Sequence, residues 1–179
     1  MQSDYIFLDM LNHILAALMP ENRLALDVSL YTGLRIDDVL SFQTHKVKRR
    51  MSIQEKKTGK RKHFYLTQDL VDRLIANSGG GIYCFPHRLD GRKHRTRQAV
   101  WKDLNRAMKL FRIPKNLVIS PHTCRKVYAV NQFKKCGNLQ EVQKLLNHSN
   151  ESVTVLYAMA DILTEREKLK RSNFSVLNK

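Results

Sequence analysis

Tyr5, Leu8, Leu11, Ile14, Leu15 and Leu18 recur at three- and four-residue intervals until Pro20 interrupts them, which predicts an amphipathic helix over residues 5–18. A second helix is expected over about 21–31. It should end at Thr32-Gly33, because glycine takes the left-handed conformation that closes a helix without steric cost. A third opens near Arg35 and carries Val39 and Leu40.

The pattern then changes. Residues 46–67 are basic, with short runs of β-branched and aromatic residues and a turn signal at Thr58-Gly59, so three short strands are expected near 46–49, 51–56 and 62–66. Helical spacing returns over about 68–76. A Gly79-Gly80-Gly81 loop and a basic segment over 87–97 follow. The next helix covers 99–110 and packs through Val100, Leu104, Ala107, Met108 and Phe111, with Pro114 beyond its end.

In the last third the helix boundaries carry their own signals. Ser120-Pro121 reads as an N-cap followed by proline at the first helical position, and Gly137 closes that helix after Cys136. Asn138 with Glu141 resembles a capping box, opening a helix with Leu139, Val142, Leu145 and Leu146 on one face. Ser149 and Asn150 are caps for a short helix carrying Val153, Leu156 and Tyr157. The elements describe a mainly α chain with a small three-stranded β-sheet.

Length and composition narrow the function. The 179 residues, 42% of them apolar, suffice for one sizeable core, and a single domain over 1–179 is expected. The formal net charge of +16 is spread along the chain and calls for a polyanionic partner. No apolar run reaches the ~18 residues of a membrane span, and the N-terminus lacks a signal-peptide layout. Nucleic acid in the cytoplasm is therefore the expected partner, with no membrane. Cys84, Cys124 and Cys136 have neither CxxC spacing nor evident histidine partners, so small buried thiols are expected, not a disulfide framework or a zinc site.

His122 and Arg125 stand three apart, on one face of a helix that begins after Ser120, where free backbone N–H groups and the positive end of the helix dipole favour a phosphate. Here a resemblance appears. Ser120-Pro121-His122-Thr123-Cys124-Arg125, then Val142-Gln143-Lys144-Leu145-Leu146-Asn147-His148-Ser149, then Tyr157, resembles the second conserved box of the tyrosine recombinases of the phage-integrase family. Tyr31-Thr32-Gly33-Leu34-Arg35-Ile36-Asp37-Asp38-Val39-Leu40 resembles the first box. Glu55-Lys56-Lys57-Thr58-Gly59 resembles the hairpin turn that carries the family's lysine.

The resemblance covers about 31–157 and implies the tyrosine recombinase catalytic-domain fold, with an antiparallel sheet. The implied activity is that of a site-specific recombinase or integrase, which cleaves and rejoins double-stranded DNA through a 3′-phosphotyrosine as a homotetramer on DNA. The implied catalytic set is Arg35, Lys57, His122, Arg125, His148 and Tyr157. Both arginines would stabilise charge on the phosphate oxygens, and His122 would take the proton of the Tyr157 phenol. Lys57 would protonate the departing 5′ oxygen, and His148 would hydrogen-bond the scissile phosphate. The phosphotyrosine conserves the energy of the phosphodiester, so neither metal nor nucleotide cofactor is implied.

Each residue also has a plainer reading. Tyr157 fits a core aromatic beside Val153 and Leu156; Arg35 fits a surface partner of Asp38; Lys56 and Lys60 rival Lys57; His122 and Arg125 fit a capped helix with a solvated basic edge; His148 fits a helix cap. The chain departs from the family pattern at Cys124, where leucine is usual, at Lys126, where histidine is common, at Asn147, where glycine is usual, and at Asp38, where glutamate is more frequent.

Only about thirty residues precede the first box. No separate N-terminal core-binding domain is therefore expected; an excised catalytic domain and a short form like the fimbrial-type invertases both fit. Residues 161–179 read as a charged helix and tail; the resemblance implies docking on a neighbouring protomer, which Phe174, Val176 and Leu177 would suit, and a frayed terminus fits equally. Competing classes are a non-catalytic DNA-binding regulator, a type IB topoisomerase and a metal-dependent nuclease. The last would need carboxylates clustered with its histidines, and none are evident.

Overall fold

Glycine and proline set the helix limits in the first half of the chain much as the sequence predicts. The computed structural model describes residues 3–113 and 116–146. Helix α1 spans Leu8–Ala16, α2 spans Pro20–Thr32 and α3 spans Ile36–Leu40. Pro20 occupies the first position of α2, where its missing N–H costs nothing, and Gly33 closes that helix at φ 68°. Three hydrogen bonds lock the turn that follows: Gly33 N–H to Ser29 O, Leu34 N–H to the Thr32 hydroxyl, and the Ser29 hydroxyl to Leu34 O. Arg35 therefore sits at the junction of two helices on a fixed backbone.

Strands β1 (Arg50–Gln54) and β2 (Arg61–Tyr65) form an antiparallel hairpin, with Met51 opposite Phe64 and Ile53 opposite Lys62. This corrects the expected strand count: two are present among the described residues, and 46–49 is not a strand. Thr44–Lys46 is instead a 3₁₀ turn, closed by Lys46 N–H to Gln43 O and Val47 N–H to Thr44 O. The Thr44 N–H bonds Ile82 O and its hydroxyl bonds Gly81 O, beside an isolated antiparallel bridge between Gln43 and Tyr83.

Helix α4 (Gln68–Ser78) starts on a Thr67 cap and ends at Gly79, and α5 (Arg97–Leu110) starts on a Thr96 cap. The chain divides into two compact units, Met1–Tyr128 and Ala129–Lys179. The core of the first gathers Leu11, Ile14 and Leu15 of α1, Leu26 and Val28 of α2, and Val100, Leu104 and Ala107 of α5. Each large apolar side chain buried there contributes roughly 1.5–3 kcal/mol. Leu8 and Phe111, which the periodicity counts with the apolar stripes, lie at stripe ends and are exposed. Under the core, Asp103 accepts from Met19 N–H and the Asn22 amide and pairs with Arg106, which fixes α5 to the start of α2.

Helix α6 (Pro121–Cys136) opens on Ser120, whose hydroxyl accepts from His122 N–H at 3.1 Å, and ends at Gly137, φ 65°. In the second unit the Asn138 side chain accepts from Gln140 and Glu141 N–H, as its capping position predicts, and opens α7 (Leu139–Leu146). Val142 and Leu146 are buried, whereas Leu145 is exposed, against expectation. Cys84 and Cys124 are buried thiols; Cys136 is exposed, another departure, being the last residue of α6. The expected short helix carrying Tyr157, and the tail beyond it, lie outside the described residues. No helix among the described residues is long and apolar enough to cross a membrane.

Candidate active site

The hairpin builds the floor of the site through its alternation. On β1 the inward positions are Met51 and Ile53, and the next position of that parity is Glu55; on β2 they are Lys62 and Phe64. The apolar face of the hairpin thus ends in one carboxylate and one ammonium, both buried. Burying either charge alone would be prohibitive, so partners must come from elsewhere in the fold.

Both expected arginines supply them. Arg35 Nη1 donates to Glu55 Oε2 at 3.1 Å, and Arg125 Nη1 lies 3.7 Å from Glu55 Oε1. Arg125 is 2% exposed, and burial next to Arg35 pushes its pKa down to about 10, which still leaves it fully charged at neutral pH. Lys62 Nζ donates to Thr32 O at 2.9 Å, at the C-terminal end of α2 where a cation is favoured, and lies 5.6 Å from the centre of the Tyr128 ring. Burial first, and Arg125 second, push its pKa down to about 8.

Asp38 lies one turn into α3 from Arg35 and reaches the hairpin as well: its Oδ1 accepts from Lys56 N–H at 3.0 Å. Burial raises its pKa. The Asp38 in place of the more frequent glutamate therefore still joins the first box to the lysine turn. That turn is closed on Glu55. Gly59 N–H bonds Glu55 O, and the Thr58 hydroxyl donates to Glu55 Oε2 at 2.8 Å.

Lys57 projects from this turn and is exposed. Its rival Lys56 lies 3.4 Å from His94 Nε2. His122 lies in the first turn of α6, and its pKa is pushed down to about 4 by desolvation and then by the charges of Arg125, Lys126, Arg35 and Lys57. A neutral imidazole at pH 7 can accept a proton. The fold thus brings together Arg35, Lys57, His122 and Arg125, which are scattered from residue 35 to residue 125 in sequence. His148 and Tyr157 lie outside the described residues.

Of the other departures from the family pattern, Asn147 lies outside the described residues, and Lys126 and Cys124 have physical roles. Lys126 donates its ammonium to Ser3 O, which ties the N-terminal segment to α6. Cys124 is fully buried, and that burial pushes its thiol up to about 12, so it acts as an apolar group where leucine is usual. Tyr128 is buried, and burial raises its phenol pKa, which suits a packing role. Two residues went unrecognised in the sequence. Glu55 and Lys62 lie in a run of basic residues where a single acid or lysine looks solvated, and only the two-residue parity with Met51, Ile53 and Phe64 marks them as inward-facing.

Known proteins resemble this chain in sequence and in fold. The chain is 27% identical over 164 residues to a tyrosine recombinase of Thermosipho africanus (strain TCF52B), an alignment covering 86% of this chain and 56% of that protein. It therefore spans about half the length of that relative. In structure it resembles a lambda integrase dimer bound to a COC′ core site (TM-score 0.73, 18% identity, 87% of this chain and 48% of that one). The lambda integrase catalytic core has a similar fold (TM-score 0.67, 18% identity, 84% of this chain and 94% of that one). The family model described as the phage integrase family matches residues 6–162. With that match spanning nearly its whole length, the chain belongs to the phage integrase family.

Proposed function

We propose that this chain is the catalytic part of a site-specific DNA recombinase, cleaving and rejoining strands through a 3′-phosphotyrosine. One observation carries the reading: Arg35 and Arg125, from distant parts of the sequence, converge on the same buried carboxylate, with the neutral His122 and the cationic Lys57 in electrostatic range. Preorganised guanidinium groups are suited to a phosphoryl centre whose oxygens gain charge in the transition state. A solvated surface cluster would not need burial of this kind.

On this reading the Tyr157 phenol gives its proton to His122 and attacks phosphorus. The phosphorus–oxygen bond to the 5′ carbon's oxygen breaks, and Lys57 protonates that oxygen, while His148 hydrogen-bonds the phosphate. The tyrosine ends on the 3′ phosphate and the other fragment carries a free 5′ hydroxyl. A hydroxyl from a second strand reverses the step, so no metal or nucleotide is consumed. The partner is double-stranded DNA, which suits the net charge of +16. The lambda integrase relatives were solved as a dimer bound to a core site and as a tetramer bound to a Holliday junction, which supports a homo-oligomer on DNA here too. The site of action is the cytoplasm.

The test uses a nicked duplex whose 5′ fragment diffuses away after cleavage. Wild-type protein accumulates a covalent adduct that maps to the peptide containing Tyr157, with or without EDTA, and Tyr157→Phe binds the DNA but forms none. An adduct on Tyr128, or an undiminished adduct from Tyr157→Phe, overturns the reading.

A further inference from the structure

Glu55 has no counterpart in the six-residue set, yet it is the group to which the site is tied. Its side chain has no exposed surface. Oε2 accepts from Arg35 Nη1 at 3.1 Å and from the Thr58 hydroxyl at 2.8 Å; Oε1 faces Arg125 Nη1 at 3.7 Å, beyond hydrogen-bond length. The Thr58 oxygen in turn accepts from Lys60 N–H, and Gly59 N–H caps the Glu55 carbonyl. One carboxylate therefore touches both arginines and the turn that carries Lys57.

We propose that Glu55 is a positioning residue, a buried carboxylate that holds Arg35 and Arg125 in place before phosphate arrives and couples them through Thr58 to the Lys57 turn. Two guanidinium groups brought this close repel each other, and Arg35, 15% exposed, has open solvent into which it could swing. Glu55 lies against both and opposes that repulsion. It spends only one edge of the Arg35 fork, leaving further donors of a planar, five-donor group to meet an oxyanion. The charge balance favours the same role. Arg35, Arg125 and Lys62 outweigh Glu55 and Asp38 by one, so the cluster keeps a positive charge for the phosphate while the repulsion within it is reduced.

This inference rests on the recombinase reading, but its test has an arm that does not. Glu55→Gln keeps the shape and removes the charge. That strengthens the local positive field and releases the guanidinium groups from their anchor, so binding and rate should move in opposite directions. Inorganic phosphate binding by the full chain, followed by NMR titration at low salt, is expected to tighten severalfold in Glu55→Gln. On the nicked substrate the single-turnover cleavage rate is expected to fall about 10²-fold, the loss typical of a catalytic group misplaced by about 1 Å, with KM unchanged or lower. Glu55→Asp, which keeps the charge on a shorter arm, should return phosphate affinity to the wild-type value and recover part of the rate.

A merely structural role predicts that Glu55→Gln lowers affinity and rate together. That result, a wild-type rate, or unchanged phosphate affinity overturns the proposal. Should Glu55→Gln fail to fold, Thr58→Val decides the matter: it leaves the carboxylate and both arginines in place and must lower the rate without raising KM, and a wild-type rate refutes the coupling. If the wild-type chain forms no adduct at all, the recombinase reading fails while the phosphate arm still judges the carboxylate's hold on the arginines.

Discussion

Gly33 lies directly against the ring of Tyr128: a Cβ built on Gly33 would stand 2.4 Å from both Cδ1 and Cε1 of that ring. The glycine also has φ 68°, where an L side chain is strained. Two separate requirements therefore fall on the residue two positions before Arg35. Gly33→Ala should cost roughly 1–2 kcal/mol for the left-handed backbone and roughly 1–3 kcal/mol more for the overpacked ring. Urea unfolding of Gly33→Ala, Tyr128→Leu and the double variant measures this. The double variant should recover the packing part and keep the backbone part; full additivity would show that ring and glycine do not interact.

Arg125 should act on charge that develops during reaction. Arg125→Lys keeps the buried charge beside Glu55 but loses the planar fork, so cleavage should fall by about 10²–10³, the usual cost of one preorganised donor. DNA affinity should change only a few-fold. Filter binding and single-turnover cleavage on the same duplex make the comparison, and equal losses in both would make Arg125 a ground-state phosphate contact.

Lys57 can be separated from Lys56 and Lys60 by the leaving group. A 5′-bridging sulfur departs as a thiolate without a proton, whereas oxygen needs an acid. Lys57→Ala should cut cleavage of the oxygen substrate by about 10²–10⁴ and leave the sulfur substrate near the wild-type rate. Lys56→Ala and Lys60→Ala should affect both substrates alike. An equal defect of Lys57→Ala on the two substrates would remove it from the acid role.

His122 should stay neutral well below the usual histidine range, because its pKa is pushed down to about 4 by desolvation and by Arg125, Lys126, Arg35 and Lys57. The unfolded chain binds a proton there below about pH 6.5. The stability linked to this group is thus fully present above pH 6.5 and is lost as pH falls towards 4. The acid limb of kcat/KM, which reports the free enzyme, should lie near pH 4 and change in His122→Gln. Ring-proton NMR of the free protein showing titration near 6.5 would contradict this.

The sequence by itself determined the helices and the order of the chemistry. Local signals sufficed there: apolar spacing for α1 and α5, glycine at positive φ after α2 and α6, and side-chain caps at Ser120 and Asn138. Arg35, Lys57, His122 and Arg125 were singled out for a different reason, the resemblance of their motifs to a known family, beside the Thr32-Gly33 turn, the Thr58-Gly59 turn and the Ser120-Pro121 cap. Tertiary structure alone decided the rest. Residues 46–49 have strand-like composition, yet the pairing forms just before them, at Gln43 with Tyr83 and Thr44 with Gly81 and Ile82, long-range contacts that no local pattern encodes. Glu55 and Lys62 look solvated in a basic hairpin. They become buried because α2, α3 and α6 bring Thr32, Arg35 and Arg125 over the inner face of that hairpin, and a charge enters a protein interior only where such partners already wait for it.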